Sequence, residues 1–326
     1  MRILATDDDP IILELLSQFL IAVGPHEVVT SSSASNSLTL LAQQNSMPFD
    51  CFLNDIQMPE TDGIELARQI RQIPAYQTTP IVMLTAMSEK RNVDDAFAAG
   101  ASDYLTKPFD LIEFKSRIGM IEQLVLSRKE PMDNVCADGT SKDYSKLGLR
   151  VDLQAPMELS AIDHLIDFRA MENYVAQLSR SSLFGSTVFA FSLRKPADYY
   201  AALSPSEFKS LLKDVAGCIS DCLTDHQFLM TYAGNGTYVC ITESGWHPDM
   251  SALMETVNLQ LNRIEILAHP RLELYPRVSV GVAVRLIWKS GNQILNALNT
   301  ARHSAENAAV EFERLKTDFF QIGRSA

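Results

Sequence analysis

Five polar residues of the 326-residue chain stand where short apolar runs end. Asp7 and Asp8 follow Arg2-Ile3-Leu4-Ala5-Thr6, and Asp55 follows Cys51-Phe52-Leu53-Asn54. Thr85 follows the run Pro80 to Leu84, and Lys107 follows Tyr104-Leu105-Thr106. If those runs are neighbouring strands, three carboxylates, a hydroxyl and an ammonium share one crevice. Three crowded carboxylates repel one another and need a cation, and hard oxygen ligands with open positions suit Mg²⁺. A lysine opposite them can hold a phosphoryl oxygen, and a threonine hydroxyl can bond another. The chemistry implied is phosphoryl transfer onto a carboxylate, with metal and lysine offsetting charge on the equatorial oxygens.

The elements around these residues have the pattern that such a crevice needs. Pro10 opens a helix whose apolar stripe is Ile11, Ile12, Leu15, Leu16, Phe19, Leu20 and Val23, with Asp9 as its cap. Val28 to Thr30 reads as a strand and Ser37 to Gln44 as a helix. Further helices are expected over Gly63 to Ile73, Val93 to Ala99 and Leu111 to Leu126. Five strands alternating with five helices predict an α/β unit with a doubly wound, five-stranded parallel sheet covered on both faces. Sheets of this kind carry their sites beyond the carboxyl ends of the strands.

The segments T-D-D-D-P (6–10), N-D-I-Q-M-P-E-T-D-G (54–63), P-I-V-M-L-T-A (80–86) and D-Y-L-T-K-P-F (103–109) resemble the receiver domain of two-component response regulators, a CheY-like, flavodoxin-like fold. The resemblance covers about 125 residues and implies roles position by position. Asp55 is the phosphoacceptor, receiving a phosphoryl group from a histidine kinase or a phosphotransfer protein. Asp8 binds Mg²⁺ directly, Asp7 through water, and the backbone carbonyl of Gln57 completes the protein ligands. Thr85 is the switch hydroxyl, Tyr104 the aromatic that moves with it, and Lys107 the phosphoryl contact. The Lys107–Pro108 bond is expected to be cis.

Composition limits the alternatives. Apolar residues make up 46% and charged residues 21%, so two buried cores are affordable and wholesale disorder is excluded. A net charge of −12 disfavours DNA binding, which depends on basic residues facing phosphates. The five cysteines, at 51, 136, 218, 222 and 240, form no C-x-x-C pair, which fits a reducing compartment. No leader pattern is visible, and the longest apolar stretch, Ile11 to Val23, is broken by Glu14, Ser17 and Gln18. The expectation is a cytoplasmic protein without a membrane span.

The chain is expected to divide into a receiver domain over 1–126, a linker over 127–159 and an output domain over 160–326. The linker is rich in turn chemistry, with Leu147, Leu149 and Val151 as a short extended run. Beyond it, helices are expected at Ile162 to Leu178, Ser206 to Leu223, Met250 to Leu267 and Gln293 to Phe312. Strands are expected at Thr187 to Leu193 and Arg277 to Arg285. Gln227 to Tyr232 and Thr237 to Thr242 form a hairpin around an Asn-Gly turn. This is an α+β order with an antiparallel sheet.

The order resembles the GGDEF domain of diguanylate cyclases, a nucleotide cyclase fold. Asp163, Leu165, Phe168, Tyr174 and Leu178 keep the register of that family's opening segment. Gly234-Asn235-Gly236-Thr237-Tyr238 stand at its signature loop, and Val278 to Ala283 at its S-x-G strand. The departures are functional. Ser192 and Gly236 stand where the family has metal-binding acids, and Thr237 where it has Glu. The late lysine falls near Ala309, and Asp225-His226-Gln227-Phe228 replace the product-binding Arg-x-x-Asp. Without two carboxylates Mg²⁺ has little to bind, so the resemblance implies a degenerate domain without cyclase activity that acts through protein–protein contacts, with homodimerisation as one route. Residual cyclase activity, or GTP binding without turnover, is the rival reading. His164, His226, His247 and His303 lack metal-ligand spacing and are expected to be packing or surface residues.

Overall fold

The computed structural model describes residues 1–43, 47–86, 90–129, 152–157, 159, 162–177, 185–263, 275–286 and 291–322. The expected extended run at Leu147, Leu149 and Val151 lies outside the described residues, as do Leu178 and 264–267, whereas the helix expected to reach Leu267 already ends at Leu261, where Asn262 caps it with its amide on Asn258 O at 3.2 Å. The chain forms two units, Met1–Lys142 and Asp143–Ala326.

The first unit alternates strand and helix: β1 (Arg2–Thr6), α1 (Pro10–Val23), β2 (Glu27–Ser31), α2 (Ala34–Ala42), β3 (Cys51–Asp55), α3 (Gly63–Gln72), β4 (Ile81–Thr85), α4 (Lys90–Ala98), β5 (Asp103–Thr106) and α5 (Leu111–Lys129). All neighbouring strands run parallel, in the order β2-β1-β3-β4-β5. One face of the sheet, with Ile3, Ala5, Leu53, Val82, Leu84 and Leu105, shares a core with Leu16 and Leu20 of α1 and Phe114 and Ile118 of α5.

Local chemistry sets where the helices begin. Asp9 Oδ1 accepts from the Ile11 amide at 2.8 Å, with Pro10 in the first helical position. Asp62 Oδ1 accepts from Glu65 N at 2.8 Å and starts α3. Ser33, whose Oγ accepts from Asn36 N at 3.2 Å, starts α2 three residues ahead of the expected Ser37.

The second unit contains β6 (Leu165–Ile166), α6 (Phe168–Gln177), β7 (Thr187–Leu193), α7 (Pro196–Ala202), α8 (Pro205–Leu223), β8 (Phe228–Tyr232), β9 (Thr237–Thr242), α9 (Met250–Leu261), β10 (Val278–Val280), β11 (Val284–Arg285) and α10 (Gly291–Ile322). Its sheet runs β10-β7-β9-β8-β6, with β11 also on β7. Phe189, Phe191, Met230, Tyr238 and Cys240 pack with Phe208, Leu212, Val215 and Ile219 of α8 in one core.

Three expectations for this unit are corrected. The sheet is mixed, because β6 lies parallel to β8 while the other pairs are antiparallel. The helix expected from Ile162 begins only at Phe168. His164 holds a left-handed φ of 62°, which a helix cannot continue through, and its carbonyl accepts from Met230 N at 2.8 Å. Asp167 Oδ1 then accepts from Arg169 N at 2.8 Å and opens α6. The strand expected over Arg277 to Arg285 is broken in two. Opposite β7 the register moves by one residue, from Val280↔Phe191 to Val284↔Val188, so this side carries an extra residue. Gly281 sits in the break against α10, where a Cβ would lie 2.6 Å from Ala305 N.

The short helix α7 escaped the sequence reading, and Ser204 after it makes a full capping box. Its Oγ accepts from Glu207 N at 3.3 Å while Ser204 N donates to Glu207 Oε2 at 2.8 Å. Ser204→Ala is expected to lower the stability of the second unit by about 1 kcal/mol. Urea unfolding followed by Trp246, which lies in this unit, measures it; an unchanged midpoint would mean that the cap contributes nothing.

Candidate functional site

β1, β3, β4 and β5 deliver their polar residues to one carboxyl edge, because all five strands run the same way. Asp7, one residue past β1, is 1% exposed, and Asp55, the last residue of β3, is 4% exposed. Asp8 is exposed. One carboxylate oxygen from each of Asp7, Asp8 and Asp55 lies within 4.8 Å of the others. Among the described residues these form the one gathering of three such side chains. Lys107 spans two of them, its Nζ lying 2.6 Å from Asp7 Oδ2 and 2.7 Å from Asp55 Oδ1. The main chain fixes the frame: Lys107 N donates to Thr85 O at 2.6 Å, Ile56 N to Leu84 O at 2.9 Å and Asp7 N to Ser31 O at 3.1 Å. The Lys107–Pro108 peptide is cis.

The electrostatics follow from burial and crowding. Burial raises the Asp55 pKa above the ordinary carboxylate range; the Lys107 bond and charge pull it back, and Asp7 and Asp8 push it up again. Burial works against the Lys107 ammonium, yet its bonds to Asp55 and Asp7 outweigh that and hold its pKa above the usual value. One lysine against three carboxylates leaves a negative deficit that a divalent cation would offset. The donor set is all oxygen, one carboxylate is open to solvent, and the two buried ones are already deprived of water. The residues therefore fit a hard cation such as Mg²⁺.

The structure brings Asp7, Asp8, Asp55 and Lys107 together as the sequence spacing predicts. Thr85 closes β4 and is 1% exposed. Tyr104 points inward, 8% exposed, with its ring edge-on to Phe97 of α4 at 6.2 Å. Gln57 follows β3 by two residues and its side chain is exposed.

Two neighbours escaped the sequence reading. Gly63 packs so closely on β3 that a Cβ would lie 1.9 Å from Asp55 O; the D-G pair at a helix start was its only signal. Asn54 is fully buried beside Asp55, and among the described residues neither its Oδ1 nor its Nδ2 has a hydrogen-bond partner. Strand alternation alone gave no sign of that.

The loop at 234–238 is a tight hairpin. Gly234, Asn235 and Gly236 all have positive φ (88°, 51° and 70°), and Thr237 N donates to Gly234 O at 2.9 Å, closing a two-residue turn. Asn235 N donates to Leu153 O at 2.6 Å and Gly236 N to the Tyr232 hydroxyl at 3.1 Å, so all three amides are committed. Thr237 Oγ1 donates to Ser192 Oγ at 3.2 Å and lies 3.4 Å from Glu306 Oε1, which accepts from Arg302 Nε at 3.0 Å. Tyr238 is buried and donates to Leu212 O at 2.7 Å. Ala309 is buried in α10. His226 stacks on Trp246 at 4.0 Å with its Nδ1 3.1 Å from Glu243 Oε1, and the His164 ring lies tilted against Phe228 at 4.7 Å.

Comparison with known proteins agrees with the first unit. Residues 3–119 match the family model of the response regulator receiver domain. The first unit is thus a response regulator receiver domain. An uncharacterized 14.6 kDa protein from the sodA1 3′ region of Leptolyngbya boryana is 35% identical over 127 residues, covering 39% of this chain and 92% of that one. The two-component response regulator ORR24 of Oryza sativa subsp. indica is 36% identical over 129 residues, covering 40% of this chain and 19% of that one. The chain thus spans about a fifth of that relative's length. Among solved structures, the chemotaxis response regulator CheY4 of Vibrio cholerae is 28% identical with a TM-score of 0.34, covering 37% of this chain and 97% of that one. Among the described residues, no helix is long and apolar enough to cross a membrane.

Proposed function

We propose that the protein is a response regulator whose phosphoacceptor is Asp55. A histidine kinase or a phosphotransfer protein presents a phosphohistidine. The P–N bond breaks as an Asp55 carboxylate oxygen forms the new P–O bond. Asp8, Asp55, the Gln57 carbonyl and, through water, Asp7 would hold Mg²⁺, which would supply positive charge for the transferred group. Lys107 leaves Asp55 to contact a phosphoryl oxygen, and Thr85 donates its hydroxyl to another. Tyr104, in the inward position, records the change on the surface of α4, β5 and α5. The second unit, a degenerate GGDEF-like domain, carries the output by binding a protein partner or a second copy of the chain, in the cytoplasm. The domain boundaries at 126 and 160 belong to this reading. The observation that carries it is the Lys107 ammonium spanning two buried carboxylates beside a third.

One test separates the parts. The protein is incubated with acetyl phosphate and Mg²⁺, and its phosphorylated fraction is read on a phosphate-affinity gel. Wild type is expected to shift, and Asp55→Asn or added EDTA to abolish the shift. A modified Asp55→Asn protein would place the acceptor elsewhere. GTP turnover is followed in the same samples. The committed amides of Asn235, Gly236 and Thr237 and the hydroxyl pair of Ser192 and Thr237 support an inactive output. Formation of a cyclic dinucleotide would instead favour a residual cyclase, and retention of labelled GTP without product a nucleotide-binding output.

A further inference from the structure

A cavity of about 290 Å³ in the second unit is bordered by Arg194, Arg277, Asn258, Leu259 and Phe312 among others. It plays no part in the phosphoacceptor site. Arg194 lies one residue past β7 and is 8% exposed, unusual burial for a cation with no carboxylate bonded to it. Its Nε donates to Ser279 Oγ at 2.9 Å, and its guanidinium carbon lies 3.4 Å from the centre of the Phe312 ring. Among the described residues its two terminal nitrogens have no hydrogen-bond partner. Glu313, bonded to Lys195 at 3.0 Å, offsets part of the Arg194 charge through space, yet burial still holds the guanidinium pKa below its usual value.

Arg277 supplies a second guanidinium to the same cavity. The two arginines are tied through the main chain, where Arg194 N donates to Arg277 O at 2.8 Å. Two like charges held beside one cavity repel, and the burial of Arg194 raises the cost of leaving it unmatched, while Arg277 is exposed. Asn258 cannot neutralise them, because its amide is used on both backbone groups of Val278, at 2.8 and 3.0 Å. The one carboxylate in the lining, Glu255, stands on the exposed side of α9. The remaining wall is apolar: Met254, Leu259 and the Phe312 ring.

We propose that this cavity binds a small organic oxyanion, a phosphate monoester or carboxylate with a compact apolar body. Its oxygens are held by the free ends of Arg194 and by Arg277, and its body lies on Leu259 and Met254. Planar guanidinium groups bind such oxyanions through paired hydrogen bonds. The second unit thereby takes a soluble ligand, an input separate from the Asp55 reading and independent of it.

The test uses the full chain in EDTA, so that no metal at the acidic pocket can hold an anion. Calorimetric titrations are run with phenyl phosphate, benzoate and inorganic phosphate. Phenyl phosphate and benzoate distinguish the two oxyanions, and inorganic phosphate lacks the apolar body. Saturable binding of one of the two aromatic anions, tighter than inorganic phosphate, is expected. Arg277→Met, at an exposed position, should weaken it at least about tenfold. Glu255→Gln should tighten it, and Arg302→Met at the hairpin turn should leave it unchanged. Arg194→Met is expected to abolish binding in a variant whose circular dichroism matches wild type. Absence of saturable binding to all three probes, or equal affinity in wild type and Arg277→Met, would overturn the proposal.

Discussion

Gly63→Ala is expected to disrupt the acceptor pocket from behind. The added Cβ would lie 1.9 Å from Asp55 O, 2.8 Å from Asp55 C and 3.2 Å from Ile56 Cα, all main-chain atoms. That main chain has little freedom to yield. Ile56 N is bonded to Leu84 O at 2.9 Å, Gly63 N to Ile56 O at 3.0 Å, and β3 is paired on both sides. Either α3 moves off the sheet or Asp55 rotates away from Lys107. The first unit is expected to lose about 3 kcal/mol, and amide exchange in β3 and α3 to quicken about a hundredfold. Phosphorylation by acetyl phosphate should fall to the level of Asp55→Asn. Wild-type exchange in those two elements would show that the close approach of Gly63 is not needed.

Lys107→Met should have a comparable effect by a different route. It leaves Asp7 and Asp55, both nearly inaccessible to water, without their shared cation. Removing one partner of such a group costs about 3 kcal/mol at pH 8, because buried charge is left uncompensated. The loss depends on pH with a definite sign. Burial already raises the Asp55 pKa against the pull of Lys107, so the variant raises it further. A carboxyl whose folded pKa exceeds its unfolded value binds its proton more tightly when folded. Its stability contribution is largest below the unfolded value and declines as pH rises through the folded one. The gap between Lys107→Met and wild type should therefore narrow at pH 5 and widen at pH 8. Millimolar Mg²⁺ should recover part of it by supplying the missing positive charge. Urea unfolding at both pH values, with EDTA or Mg²⁺, gives the answer. A gap independent of pH would mean that Lys107 acts through packing alone.

The first unit was legible because its residues all point to one arrangement. Apolar runs of four or five residues end in the polar groups of the pocket, and Asp9 with Pro10 marks the start of α1 without ambiguity. Parallel connection then leaves little choice about where those ends meet. Side-chain direction at Tyr104, the unpartnered amide of Asn54 and the tight seat of Gly63 depend on packing across elements, which no linear pattern encodes. The second unit was harder because its decisive features are backbone conformations. The left-handed His164 cuts a helix that apolar spacing alone would have carried through. The extra residue around Gly281 splits a strand whose composition is uniform. Arg194 and Arg277 are 83 positions apart in the chain. Only the pairing of β10 with β7 makes them neighbours.

The hairpin turn at Asn235 has a further consequence. Its amide is bonded to Leu153 O, and a methyl group on Gly234 would lie 2.2 Å from Gln154 O. Leu153 and Gln154 thus lie directly across the 234–236 turn and cover its backbone. A group could reach the Asn235 amide only by displacing the Leu153 carbonyl that now accepts from it.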